Sequence, residues 1–281
     1  MEWMMRWLPH WLPLSTAGSA ETLTRPPAVR QQLKAAQNAM AEESYPQADK
    51  VLKALAGQAL SAPAKAYVLQ FQGNLALRRQ QENSALKHVT AAHDLKALPA
   101  VDQRRLLHTV AQLHMTREQW HKGVKAMSSW MQQVRTQGTP AEQVRAEDHI
   151  MLAQGYSRLE RWSKVVAPVK TAIGMKKRAP EDWYRLQLAA HFQLKQWKGA
   201  TSVLELLVNR YPQRARYWEQ LASIYQLRDR HADALATLRA AWLGGQFNQE
   251  RQYIWLSQLL LQQGVPQRAA ELLDDAMSRQ Q

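Results

Sequence analysis

Residues 218–241 read WEQLASIYQLRDRHADALATLRAA, and residues 253–276 read YIWLSQLLLQQGVPQRAAELLDDA. Set one above the other, they share a pattern. An aromatic residue (Trp218 or Tyr253) is followed after two residues by Leu221 or Leu256. Further on come a small anchor (Ala234 or Ala269), a leucine (Leu238 or Leu273) and an alanine (Ala241 or Ala276). Apolar residues three, four and seven apart fall on one face of a helix. A face that recurs about every 35 residues belongs to a stack of helical hairpins, since one hairpin cannot bury its own apolar side.

Working outward from Ala234, small or short residues mark seven second-helix anchors at Ala48, Ala85, Gly123, Val165, Ala200, Ala234 and Ala269, with steps of 34–42 residues between them. A larger apolar residue follows each: Leu52, Val89, Met127, Val169, Leu204, Leu238 and Leu273. Then comes Leu55, Ala92, Trp130, Ala172, Leu207, Ala241 or Ala276. Small residues in the preceding helix (Gly73, Ala111, Ala153, Ala222) let the two helices of a hairpin approach closely. Tyr45, Trp120, Trp162 and Trp197 each precede an anchor by three residues and read as plugs between the paired helices. Gly138-Thr139-Pro140, Ala179-Pro180, Tyr211-Pro212 and Gly244-Gly245 break the pattern between hairpins. The expected fold is all-α: a right-handed superhelical solenoid of about seven helix–turn–helix repeats over residues 30–281. Residues 21–29, with Pro26-Pro27, form a linker ahead of it.

The first 20 residues differ. Their apolar, Trp-rich run followed by Gly18-Ser19-Ala20 reads as a signal or leader segment. Trp3, Trp7 and Trp11 at i, i+4 and i+8 read equally as an interfacial anchoring helix, giving weak membrane association through residues 1–14. A third reading makes the stretch a fragment of a longer leader.

Composition narrows the function classes. The chain has no cysteine, so disulfides, thiolate nucleophiles and Cys-ligated metals are removed. Nine histidines include no His-x3-His or His-Glu-x2-His spacing, so no metal site is expected. His114, His149 and His191 fall in or near the first-helix packing stripe, and His231 takes the slot that Trp197 holds one repeat earlier. There is no glycine-rich phosphate loop and no Gly-x-Ser-x-Gly elbow, so neither a catalytic residue nor a cofactor nor a small-molecule substrate is expected. The formal net charge of +14 attracts anionic partners without choosing among them. Its tightest runs, Lys176-Lys177-Arg178, Arg104-Arg105 and Arg78-Arg79, read as solvated surface. The repeat phase predicts a concave, partner-binding wall of first helices presenting Gln70, Asn74, His108, Gln112, Ile150, Gln154, Glu219, Ser223 and Gln226. Their amides and few charges suit the backbone of an extended peptide.

The Trp218 copy resembles the tetratricopeptide repeat. Trp218, Leu221, Tyr225, Ala234 and Ala241 match that motif, Ala222 replaces its glycine and Leu238 its aromatic residue. Within that family, the C-terminal third is similar to the proteins that accompany the TonB–ExbB–ExbD energy-transduction components. The shared elements are Tyr217-Trp218-x-Gln220-Leu221, Ala234-Leu235-Ala236, Gly245 and Gly264-Val265-Pro266-x2-Ala269-Ala270, together with Ala66-Tyr67-Val68-x2-Phe71-x-Gly73-Asn74-Leu75. The resemblance implies a non-enzymatic, periplasmic protein-interaction scaffold for energised uptake of ferric siderophores or haem, with TonB, ExbB or ExbD components as partners. The charge motivates a second class, a helical-repeat reader of nucleic acid, but the polar positions do not repeat from unit to unit as a one-base-per-repeat code requires. An envelope-assembly scaffold is the third class.

Overall fold

Residues 27–278 are described by the computed structural model, and among them the chain is helical from end to end. In chain order the helices are α1 Pro27–Ala41, α2 Tyr45–Ala56, α3 Ala62–Arg78, α4 Glu82–Asp94, α5 Ala100–Thr116, α6 Trp120–Gln137 and α7 Ala146–Arg158. A 3-10 turn, Trp162–Lys164, leads into α8 Val166–Gly174. There follow α9 Glu181–Gln193, α10 Trp197–Arg210, α11 Ala215–Leu227, α12 His231–Leu243, α13 Glu250–Gln262 and α14 Pro266–Ser278. The proposed leader and residues 21–26 of the linker lie outside the described residues. Helix α1 begins at Pro27, three residues before the expected start, because proline in a first helical turn sacrifices no hydrogen bond and Val29 is already buried.

The chain divides into two compact units, one ending at Arg161 and one beginning at Trp162. In the first, one apolar cluster runs from Val29 in α1 to Val110 in α5, and a second from Leu107 to Leu152 in α7. In the second unit, α9 packs on α10, α11 on α12 and α13 on α14, and α10 and α12 each meet the first helix of the following hairpin.

The anchors behave as their size demands. Ala48, Ala85, Val165, Ala200 and Ala234 have no exposed surface, Ala269 has 3%, and Gly123 is buried. A Cβ on Gly73 would stand 2.5 Å from Val89 Cγ2, so the close helix crossing there admits only hydrogen. One expected core residue is misplaced. Leu52, Val89, Met127, Val169, Leu204 and Leu238, four residues after their anchors, are all fully buried, but Leu273 at the same register is 40% exposed, and Leu272 is buried in its stead. In the earlier copies that register is fully buried, whereas at Leu273 no described residue covers it.

Each second helix, or in the fourth copy the 3-10 turn that leads into it, starts three residues before its anchor, so Tyr45, Glu82, Trp120, Trp162, Trp197, His231 and Pro266 hold one structural slot. Two residues earlier, Glu43, Gln80, Glu118, Glu160, Lys195, Asp229 and Gly264 all have φ between 53° and 73°. The next backbone N–H reaches back five residues to a carbonyl in the first helix: Ser44 to Ala39, Gln81 to Ala76, Gln119 to His114, Arg161 to Tyr156, Gln196 to His191, Arg230 to Tyr225 and Val265 to Leu260, at 2.8–3.0 Å. This is the Schellman end of a helix, made seven times. In two copies the side chains add a bond, His114 Nδ1 to Gln119 Oε1 at 2.6 Å and His191 Nδ1 to Gln196 Oε1 at 2.8 Å. These histidines are therefore parts of turns.

Candidate functional site: a groove across three first helices

Within the second unit, a groove of about 710 Å³ is lined by α9 through Phe192, α11 through Arg216, Glu219, Gln220 and Ser223, and α13 with its leading loop through Asn248, Gln249, Arg251, Gln252 and Trp255. Its walls are the first helices of three successive hairpins, so the groove follows from the repeat itself.

Polar ties fix the spacing of those walls. The Tyr217 hydroxyl donates to Glu181 Oε1 at 2.5 Å, joining α11 to the start of α9. Burial, reinforced by that carboxylate, pushes the phenol up to about 12, so the proton stays in place across the physiological range. Tyr225 likewise donates to Glu205 of α10 at 2.6 Å and is pushed up to about 12, first by burial and then by the same kind of bond. On the other side, Trp255 Nε1 donates to Gln226 Oε1 at 3.0 Å, and Glu219 accepts from Arg251 Nη2 at 3.0 Å and Gln252 Nε2 at 2.5 Å. Gln252 Oε1 in turn accepts from the backbone N–H groups of Asn248 and Gln249, capping α13 and shaping the loop that edges the groove.

The electrostatics follow from these ties. Glu219 is engaged by Arg251, whereas Arg216 is exposed and pairs with no acidic group among the described residues. The groove therefore carries unspent positive charge beside the amides of Gln220, Asn248 and Gln249 and the ring of Trp255.

The predicted partner-binding residues divide by unit. Glu219 and Ser223 line the groove, and Gln226 supports it by holding Trp255. Three of the first-unit members are closed off: Gln70 is 3% exposed, Gln112 1% and Ile150 4%. Here α3 and α5 are each 17 residues long, a helical turn more than α9, α11 or α13, and the predicted stripe turns inward between neighbours. Gln70 Oε1, Asn74 Oδ1 and Gln112 Oε1 are buried without a hydrogen-bond partner among the described residues. Of the amides that tempt a base-by-base reading, Gln112 is buried, and Asn74 and Gln154 are half-buried.

His108 belongs to a cluster that periodicity does not announce. Its ring stacks on Trp130 with centroids 3.7 Å apart, and Nε2 lies 2.7 Å from Asp148 Oδ1. Burial pushes the Asp148 carboxyl up, but the His108 bond and the Arg145 backbone N–H outweigh it and leave the group below its ordinary range. Nearby in sequence, Arg104 is 4% exposed and forms a two-pronged pair with Glu142, both contacts at 2.7 Å. The reading of Arg104-Arg105 as solvated surface is corrected for Arg104: its guanidinium is buried and clamps the 138–145 loop. The signal available in sequence was Glu142 itself, the sole acid between Glu118 and Glu147. No group of three His, Asp or Glu residues suited to a metal ion occurs among the described residues, and none of their helices is long and apolar enough to cross a membrane.

No protein-family model matches the chain, and no curated protein matches it. Solved structures do. A tetratricopeptide repeat protein from Parabacteroides merdae ATCC 43184 superposes with a TM-score of 0.50 at 14% identity, over 90% of this chain and 93% of that one. MamA AMB-1 superposes with a TM-score of 0.50 at 10% identity, over 66% of this chain and 94% of that one. At such identities the likeness speaks to fold alone, and with the seven repeated turns and buried anchors it shows a tetratricopeptide-type helical repeat.

Proposed function

We propose that the protein is a non-enzymatic interaction scaffold that holds an extended, acidic segment of a partner protein in the groove of its second unit. The observation that carries this reading is the groove, where amides able to pair with a peptide backbone stand beside an unspent arginine and a tryptophan. A strand-like peptide presents alternating N–H and C=O groups, which Gln220, Asn248 and Gln249 can meet with either end of their amides. Arg216 attracts a carboxylate, and the Trp255 ring offers apolar surface to a neighbouring side chain. The rigid walls lower the ordering cost of binding, because the polar ties are made before the peptide arrives.

The finer assignment rests on residues rather than on geometry. The stretches Tyr217–Leu221 and Gly264–Ala270 resemble the accessory proteins of TonB–ExbB–ExbD transport, so we take the partner to be one of those components and the compartment to be the periplasm. Titration calorimetry with the purified periplasmic portions of TonB and ExbD tests the partner. Binding should weaken about ten-fold, on the order of 1.4 kcal/mol, in Arg216→Glu, and hardly at all in Arg79→Glu, an exposed first-unit residue that does not line the groove. Binding that ignores Arg216→Glu removes the groove from the reading. Absence of binding to either protein, or recovery of the native protein from cytoplasm alone, removes the transport assignment and leaves the groove standing.

A further inference from the structure

We propose that the groove reads a second feature of its ligand: a large aromatic side chain, set about three residues from the acidic one, that seats between Phe192 and Trp255 over Ser223. The inference rests on the reading of the groove as a peptide site and names the class of segment it selects. Two rings stand in the groove lining, Phe192 on α9 and Trp255 on α13, and both are half-buried. Each is fixed before a ligand arrives. Phe192 meets Trp197 edge to face, with centroids 6.0 Å apart and planes at 72°, and Trp197 is itself fixed as the first residue of α10. Trp255 is held by its Nε1 bond to Gln226. That bond spends the one donor an indole has, so Trp255 adds only apolar ring to the groove.

Repeat register sets the two rings at one level. Phe192 precedes its anchor Ala200 by the same distance as Gln226, the residue that holds Trp255, precedes Ala234. One turn before Gln226 on α11, the middle wall, Ser223 is exposed and lines the groove, and its small side chain leaves that wall low between the rings. The neighbouring polar atoms are spent, Gln226 Oε1 on Trp255 and the Glu219 carboxylate on Arg251 and Gln252. An aliphatic side chain seated there gains its buried area alone, whereas a ring also gains offset or edge contacts with both walls. The distance to the charge is set by α11. Arg216 and Ser223 share a face two turns apart, about 10 Å along the axis at roughly 1.5 Å per residue. An extended peptide covers that in about three residues. The motif is therefore an acid and an aromatic about three residues apart.

Fluorescence anisotropy on the full chain tests the proposal with labelled peptides. Each is an uncharged Gly–Ser frame carrying one Glu and, three residues to either side, a Trp, a Leu or an Ala. Wild type should bind the Trp peptide about ten-fold more tightly than the Ala peptide, with the Leu peptide between them. Trp255→Ala should remove that preference. Ser223→Leu should remove it as well, by filling the space between the rings from an exposed helix position; it keeps the test decisive if loss of the indole perturbs α13. The ratio of affinities is read within each variant, so a general weakening does not mimic the effect. Trp and Ala peptides that bind equally well, and lose binding in Arg216→Glu, overturn the inference and leave the groove as a site for acidic segments. A Trp preference that survives Ser223→Leu also overturns it. Failure of every peptide to bind removes the groove reading and this inference together.

Discussion

Glu142 has to be ionised for the loop it serves to hold. The Arg104 bond, with help from Thr139, outweighs the cost of burial and lowers the carboxyl to about 2 from an ordinary value near 4.5. A folded-state value depressed in this way contributes stability that is fully present above about pH 4.5 and drains away as pH falls toward 2. Replacing the group by a neutral amide leaves the Arg104 guanidinium buried without its counter-charge. Glu142→Gln should cost about 3 kcal/mol at neutral pH. Its urea midpoint should converge with that of wild type as pH drops through that window. A gap between the two proteins that stays constant from pH 7 to pH 2 would show that the loss does not come from the Glu142 charge. This pair also marks where sequence reading stops. Arg104 and Glu142 are 38 residues apart, and nothing in the helical period of either segment links them. Ala234 and Ala48 were legible because a close helix crossing excludes every large side chain, and so writes itself into the sequence at fixed intervals. Leu273 was misjudged because its register is apolar in every copy, whether or not another hairpin covers it.

At the scale of the element, the turn between paired helices is the most uniform part of the molecule. Seven residues take the left-handed conformation there, and six of them carry a side chain. An L-residue pays roughly 1 kcal/mol in that region, and glycine does not, although glycine gives back part of the gain through a more disordered unfolded chain. Gln80→Gly and Lys195→Gly should therefore each stabilise by about 0.5 kcal/mol. Gly264→Ala, with φ at 73° and open space around it, should destabilise by about 1 kcal/mol. Chemical denaturation of the three variants checks the signs; a loss of stability in both glycine variants would mean that the turn is held by its side chains. The groove is likewise an element-scale product. Glu219 and Ser223 could be found in the sequence because α11 has the clearest repeat. Asn248 and Gln249 could not, since a loop residue has no phase, and it is the Gln252 cap that brings them to the edge of the groove.

At the scale of the second unit, the stacking positions of the α11–α12 hairpin are engaged by the hairpin that follows, whereas among the described residues Ile254, Leu261, Leu273 and Met277 of α13 and α14 are exposed. In a stacked array stability is a sum of local units and their nearest-neighbour contacts. Amide exchange should accordingly be fastest in α14 and slower by one to two orders of magnitude in α11 and α12, where the stacking positions are covered. Equal protection along α11–α14 in dilute solution would contradict this picture of additive stacking.

The uniform turn also sets where the chain can change in length. Three residues join the helices of every hairpin, at 42–44, 79–81, 117–119, 159–161, 194–196, 228–230 and 263–265. The joints between hairpins run from the four residues 211–214 to the eight residues 138–145. One residue inserted into a short joint advances the following helix by about 100° and rotates its anchor out of the crossing. The same residue inserted at 138–145 only lengthens a bridge. Segments gained or lost by such a protein, whether through natural drift or by an engineer's graft, are thus admitted at alternate joints and refused at the others.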